Sequence, residues 1–568
     1  MTFAGAKFRK FLPVAAFAMS AEFLMGIADI VISGHVIGED GLSAISLMQP
    51  VFSAVSFISM LVGTGTGMLY STEMGRFDKR RASEFLTQGL WCAIGLGTLL
   101  ALGFVFFRGA VLDTFGAAPQ VRALADEFWR YFIPCAVLEP VAFFLFSMCS
   151  ADGDMRLCMF AYAAQLVGNC ALSVPLAKCF GISGCAVGTV AGHLIALGVL
   201  ACHFRREGNS LSFVRHFSFA DSARIVSCAA GDASVRIFQA ALFYVLNLYV
   251  IAKFGTEKLP VLAAVTAVLG LSEAFDSVPS AAQPLAAVYI GEKSDRLVRR
   301  IMRYATSVSV ASGLAATLLL AAAPQSVTWL VGIEDPALAG EAACAVRIVS
   351  LGLVGTALLV LFNSFSMMVG HTLFAATISF VASFGAPFAL VFPCGALFGE
   401  TGLWSALGAA PFAAIIVVSA IAMVRFGLRG FPLYLNRARE RMTRVYDLVL
   451  DTKSICDVAA AIGKYLSVRC EKRKADLTSL LVEEALMTVL DRNAGRRTLA
   501  EVTLEISDAP TIILRDDGVI FDLTDSDAMV TSFRMYFVSC LMAAIPMRRN
   551  MTTTSFNRNM FRMVMTTV

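Results

Sequence analysis

The sequence predicts an all-α polytopic membrane protein, with about twelve transmembrane helices in two parallel six-helix bundles, and a small C-terminal α/β domain of layered α+β type. Three observations carry that expectation: apolar runs long enough to span a bilayer, self-similarity between two halves, and a rise in charge after Gly430. Hydrophobic residues make up 57% of the 568 and charged residues 15%, with a mean hydropathy of +0.72. A typical soluble domain carries about 25% charged residues. So much apolar surface does not fit inside one soluble core, and lipid is the expected solvent.

The first apolar run, residues 11–37, is too long for a signal-peptide core and has no small-residue cleavage site, so it reads as a retained first span. Further spans start near Ser46, Gln88, Trp129, Leu157, Gly184, Arg224, Leu259, Ile301, Cys344, Leu373 and Gly402. With a cytoplasmic N-terminus, basic residues crowd the cytoplasmic segments, as in Lys7, Arg9 and Lys10, then Lys79, Arg80 and Arg81, then Arg296, Arg299 and Arg300. The positive-inside rule therefore places both termini in the cytoplasm of a cell-membrane protein. The halves resemble one another where VISGHVIGEDGLSAISLMQP (from Val31) meets YVIAKFGTEKLPVLAAVTAV (from Tyr249), and where FSMCSADGDMRLCMF meets FSMMVGHTLFAATIS. Parallel repeats of six spans suit a transporter with one cleft between two bundles.

The net charge of +4 is small and its basic residues serve topology, so no nucleic-acid partner is expected. The fourteen cysteines are scattered singly, without C-x-x-C pairs or His clusters, so no metal is expected.

A carboxylate at the centre of a span costs about 2.5–3.5 kcal/mol on insertion scales, which makes each one a functional candidate. The spans contain Glu22, Asp29, Glu139, Asp232, Glu273 and Asp276. Glu22 and Asp29, seven apart, share one helical face and could line a polar pocket. Asp232 and Arg236 are spaced as a neutralised i, i+4 pair. Glu273 and Asp276 precede Pro279 and Pro284, where freed carbonyls could join a polar site. The GTGTG run (Gly63, Gly65, Gly67) lies in an apolar span with no preceding strand, so it reads as close helix packing and not a phosphate loop.

Several segments, over about residues 8–425, resemble the multidrug and toxic compound extrusion (MATE) family of the MOP superfamily. They are ADIVISGHVIGEDGLSAISL from Ala28, TEMGRFDKRRASEFL after the second span, and SADGDMRLCMFAYAAQLVGNCALSVPL followed by GISGCAVGTV. In one branch of that family a first-span Asp and a fifth-span Asn and Asp form a cation-responsive network. Asp29 and Asn169 match the first two, while Ser173 stands at the third. The acid that another branch carries in its seventh span is not matched, since Gln239 and Ala240 stand there. The resemblance implies an antiporter that expels bulky, often cationic, amphipathic compounds in exchange for H⁺ or Na⁺, by alternating access and without another cofactor. The candidate cleft set is Asp29, Asn169, Glu22, Glu273 and Asp276. Two alternatives stand beside it: a flippase of lipid-linked oligosaccharides, whose cleft would carry several inward basic residues, and a membrane sensor with the tail as output module. A direct ATP-driven pump is not expected, since the sequence has no G-x-x-x-x-G-K-[ST].

These readings divide the chain into lobes at 1–215 and 216–430, an amphipathic linker helix within 431–473 containing RARERMTRVYDLVLDT, and a domain at 474–568. In that domain KADLTSLLVEEALMTVLDRN reads as a helix, and EVTLEIS and TIILRDD as strands joined by a turn. VEEALMTVLDRN and LRDDGVIFD resemble the histidine-kinase-like ATPase fold, in its anti-sigma-factor branch. Glu484 matches that family's catalytic base, and Asp516 with Gly518 its adenine-recognising D-x-G. Thr488 replaces the magnesium-binding Asn, and no glycine follows Gly518 to build a phosphate lid. A lid needs backbone conformations that glycine favours, so kinase activity and ATP binding at the tail are not expected, and the domain reads as regulatory, with a regulatory protein as its potential partner.

Overall fold

The computed structural model describes residues 2–565 apart from 115–118, 207–208, 332, 334, 428–432, 434–442, 469, 506–509, 525–531, 546 and 553–558. The side chains of Glu22, Asp29 and Asp232 also lie outside the described residues. The first half comprises α1 (Phe3–Val36), α2 (Glu39–Leu47), α3 (Gln49–Gly75), α4 (Lys79–Thr114), α5 (Pro119–Phe132), α6 (Cys135–Ala151), α7 (Met155–Phe180) and α8 (Ile182–Ala201). The second half comprises α9 (Phe219–Phe254), α10 (Leu259–Gly270), α11 (Ser272–Phe275), α12 (Ser277–Gly291), α13 (Asp295–Ala322), α14 (Gln325–Val331), α15 (Pro336–Ser350), α16 (Leu353–Met368), α17 (Thr372–Phe380) and α18 (Ala386–Phe426). Among the described residues eight stretches are long and apolar enough to cross a membrane, or ten if α5–α6 and α15–α16 each count as one bent span. Large apolar side chains such as Phe106, Leu318, Leu397 and Val424 point outward from them, as a lipid-facing surface requires.

The repeat seen in the sequence extends to single residues. Gly38, Gly153 and Gly181 adopt positive φ in the first half, as do Gly255, Gly370 and Gly399 in the second. The α5–α6 pair bends by 50° and α15–α16 by 46°. Where the halves meet, the symmetry is reciprocal: a Cβ on Gly75 would overlap the Val288 carbonyl, and one on Gly291 the Thr72 carbonyl. The GTGTG run packs as expected, with Gly63 against Phe143, Gly65 against the Ile225 carbonyl and Gly67 against Ser147.

Gly75 and Gly291 mark the end of the bundle where the two halves are pressed together. One hydrophobic cluster there joins Phe8 of α1 and Met68 of α3 to Leu285 of α12 and Val298 of α13. At the opposite end the clusters remain separate, one around Val55, Phe128 and Trp129 and another around Val265, Val346 and Trp404. Gly291→Leu is expected to wedge the closed end apart and cost about 1–3 kcal/mol, the range for overpacking. Gly75→Leu should match it by symmetry. Thermal unfolding midpoints of the purified variants test this, and unchanged midpoints would contradict the tight closure.

The C-terminal domain is a five-stranded antiparallel sheet of order β1-β2-β3-β5-β4. Its strands are β1 (Thr443–Val449), β2 (Leu499–Glu505), β3 (Thr511–Asp516), β4 (Met547–Thr552) and β5 (Asn559–Met565), and its helices α19 (Thr452–Leu466), α20 (Lys472–Arg492) and α21 (Phe533–Ala544). The helix and two strands expected within 474–568 are present. The expected linker helix is corrected: residues Thr443–Val449 form a strand paired with β2, because Thr, Val and Tyr there suit a pleated surface better than a helix.

Alternation divides the sheet into two buried faces. Val502, Leu504, Ile512, Leu514 and Phe561 pack with the three helices. The other face, with Ile513 and Met560, joins the hydrophobic cluster at the closed end of the bundle. Asp447 of β1 accepts from the Phe3 backbone N–H at 2.9 Å, adding a carboxylate at the N-terminus of α1, and pairs with Arg300 of α13 at 2.6 Å. At the centre Arg515, fully buried, is bonded to Glu292 after α12 and to Glu501 of β2 at 2.8 Å, with its guanidinium 5.2 Å from the Tyr289 ring centroid.

Two carboxyls thus share one guanidinium away from water. Burial pushes both Glu292 and Glu501 from 4.5 up to about 7, against the pull of Arg515. A docked state whose acids have raised pKa values binds more protons than the undocked state between pH 4.5 and 7. Docking is therefore expected to be strongest at acid pH and to weaken as pH rises through 7. Labels at the exposed positions Arg80 and Val468 should show a separation that grows with alkalinity; a pH-independent separation would contradict the buried triad.

Candidate functional site

Away from the closed end, a cavity of about 420 Å³ lies between the halves. It is lined by Met25 of α1, Gln49, Phe52 and Ser56 of α3, Glu139 of α6, Gln165 and Asn169 of α7, His193 of α8, and Arg236 and Glu273 of the second half. A neighbouring cavity of about 110 Å³ lies within the second half, lined in part by Gln239, Ser272, Asp276, Thr356 and Asn363. Arg236 and Glu273 line both.

Asn169 and Glu273 line the main cavity, and Glu273 and Asp276 the smaller one. Asn169 is buried, and its amide oxygen accepts from Ser173 at 2.6 Å, so the serine at the position of the family's second acid supports the asparagine. Glu273 sits on α11, a four-residue helix within the broken 259–291 span, and Asp276 follows it into the smaller cavity. Glu22 and Asp29 fall on α1, with side chains outside the described residues. The side chain of Asp232, the expected partner of Arg236, lies outside the described residues; Arg236 also bonds Glu273 across two elements, because the break at α11 brings that carboxylate to α9.

Two residues of this cavity lie outside the cleft set that the sequence suggests. Glu139 is one acid among several in the spans, and His193 lies in an apolar run. Glu139 Oε1 accepts from Ser56 Oγ at 3.0 Å and lies 3.3 Å from Ser59 Oγ, while its Oε2 faces His193 Nε2 at 3.9 Å. His193 Nδ1 is 2.9 Å from the Thr189 carbonyl one turn earlier on α8. The available signal was three polar residue types facing one level of adjacent spans: Ser56 with Ser59, Glu139, and His193.

In the tail, the residues matched to an ATP site are occupied by protein partners. Glu484 accepts from Arg534 Nη1 at 2.5 Å, and Thr488 bonds back to the Glu484 carbonyl. Asp516 accepts from the Gly518 N–H and from Asn559 Nδ2, each at 2.9 Å, and burial pushes its carboxyl up to about 7. A side chain on Gly518 would meet Asn493.

The MatE family model matches residues 15–174. Multidrug export protein MepA of Staphylococcus aureus (strain MSSA476) is 24% identical over 191 residues, 33% of this chain and 42% of that protein. MepA of Staphylococcus saprophyticus is 24% identical over 198 residues, 34% and 44% of the two chains. The chain thus spans about two fifths of the length of the curated relatives it matches. A MOP superfamily transporter from Pyrococcus furiosus superposes with TM-score 0.70 at 17% identity, over 75% of this chain and 96% of that one. The Vibrio cholerae MATE transporter VcmN in its bent form gives TM-score 0.68 at 18% identity, over 76% and 99%. The fold is that of MATE and MOP-superfamily transporters, and the chain is a multi-pass membrane protein whose relatives are transporters and not enzymes.

Proposed function

We propose that the chain is an ion-coupled secondary antiporter that exports amphipathic cationic small molecules in exchange for H⁺ or Na⁺ by alternating access. The observation that carries the reading is a cleft between two repeated halves, lined by acids and closed at one end by reciprocal glycine contacts. Twelve spans are supported by α1, which adds to the ten, and by Gly399, whose φ of 61° and ψ of −144° interrupt α18 as Gly181 separates α7 from α8. With the charge bias placing both termini in the cytoplasm, the closed end is cytoplasmic and the cleft faces outward.

A flippase for anionic lipid-linked sugars would need several basic groups in its cleft. Among the described residues Arg236 is the one Lys or Arg side chain lining these cavities, and Glu273 pairs with it. The docked sheet favours a regulatory domain acting on the transporter over a separate output module, and the Glu484–Arg534 and Asp516–Asn559 contacts support a role without nucleotide. Expression in bacteria lacking their own efflux pumps tests the export reading. The tolerated concentration of a cationic dye should rise, whereas unchanged tolerance and unchanged dye accumulation would contradict it.

A further inference from the structure

Among the described residues, the charges around the main cavity do not balance. Among the described residues its charged groups are Glu139, Arg236 and Glu273, and Arg236 is bonded to Glu273. That leaves two carboxylates to one guanidinium: Glu139 feels the Arg236 charge across the cavity but is bonded only to the hydroxyls of Ser56 and Ser59, with the His193 ring beside it. A carboxylate at membrane depth is costly without a cation, so this one calls for either a proton or a positively charged ligand.

The histidine geometry shows where a proton fits. A backbone carbonyl can only accept, so the 2.9 Å contact to Thr189 fixes the ring hydrogen on Nδ1. Nε2 then presents its lone pair to Glu139 Oε2 at 3.9 Å, a contact that repels when both groups are unprotonated. One proton on either atom turns it into an attraction, and a small rotation of Glu139 closes the gap while Oε1 stays with Ser56. The neighbouring elements contribute no other described charge. Cys135 Sγ lies 4.0 Å from Nδ1, α7 presents Tyr162, Gln165 and Asn169, and α9 and α11 present the paired Arg236 and Glu273. The side chains of Glu22 and Asp29 on α1 lie outside the described residues.

We propose that Glu139 and His193 form a shared exchange site, in which one proton held between carboxylate and imidazole competes with the cationic group of an organic monocation. This rests on the export reading and names, beside Asp29, a second coupling group in the first half. When the monocation approaches Glu139, the proton leaves Nε2 to water in the cleft, and the site holds one positive charge before and after. When a proton returns, the carboxylate is neutralised by the imidazolium and the organic cation is released. At this site the exchange is one for one and carries no net charge.

Binding of tetraphenylphosphonium to the purified full chain tests the proposal. Wild-type affinity should rise about tenfold from about pH 5.5 to 8.5, across the range in which an imidazole titrates. Glu139→Gln should weaken binding at pH 8.5 by about tenfold or more and abolish the pH dependence. His193→Gln should keep most of the alkaline affinity but flatten the pH profile, an effect a purely structural role would not produce. Glu139→Asp, which keeps the charge, should retain a pH-dependent profile and so guards against misfolding as the cause of loss. A wild-type pH dependence that survives unchanged in Glu139→Gln and His193→Gln would overturn the site while leaving the export reading intact. Absence of tetraphenylphosphonium binding by wild type at every pH would overturn the cation-export reading, and this site with it.

Discussion

Arg515→Ala is expected to detach the C-terminal domain from the bundle. Arg515, Glu292 and Glu501 have fully buried side chains, so deleting the guanidinium leaves two carboxyls between the sheet and α12 that must either take up protons without a hydrogen-bond partner or hold uncompensated charge. Breaking a buried ion pair from one side costs about 3–5 kcal/mol, several times what an exposed pair contributes. The remaining contacts, Asp447 with Arg300 and the apolar patch around Ile513 and Met560, must then hold the domain alone. Hydrogen exchange of the full-length protein should show faster exchange in β3, in β5 and around Glu292, with the deeper spans unaffected. Replacing the triad together, with Arg515→Met, Glu292→Gln and Glu501→Gln, should restore docking, because an apolar or neutral substitute avoids the stranded charge. Unchanged exchange in Arg515→Ala would show that the triad does not hold the domain in place.

Asp29→Asn is expected to leave insertion and folding intact and to abolish coupled export. Asn retains the shape and much of the hydrogen bonding of Asp but cannot gain or lose a proton. In a two-state cycle the coupling ion must favour one facing of the cleft by a few kcal/mol, about a hundredfold or more in population. A residue fixed in the neutral form supplies no such bias. Export of a cationic dye by the mutant should fall to the level of empty vesicles, while its size-exclusion profile matches wild type. Full activity would remove Asp29 from the coupling network.

The membrane architecture was legible because lipid imposes a simple rule: spans must be long, apolar and helical. The weak VISGHVIG and YVIAKFG similarity also pointed to the duplication, which the structure extends to matched glycines such as Gly181 and Gly399. The broken span was harder to read. Pro279 signals irregularity, but that Glu273 reaches Arg236 depends on the α11 break, which no i, i+4 rule reports. Glu139 and His193 are far apart in sequence and belong to different spans, so their approach is a property of packing alone. In the tail, Arg515 and Glu501 alternate with apolar residues and look like the solvent face of a two-layer domain. They face inward because the bundle forms a third layer. The same layer explains the misread segment at Thr443–Val449, whose Asp447 is spent on α1 and α13.

The most direct test of coupled export is dye transport in proteoliposomes containing the wild-type chain, under an imposed H⁺ gradient, an imposed Na⁺ gradient, or neither. The account predicts dye movement against its own gradient when one of the two ions flows the opposite way, and none when the gradients are collapsed. Transport at the same rate with no ion gradient, or no transport under either, would contradict it.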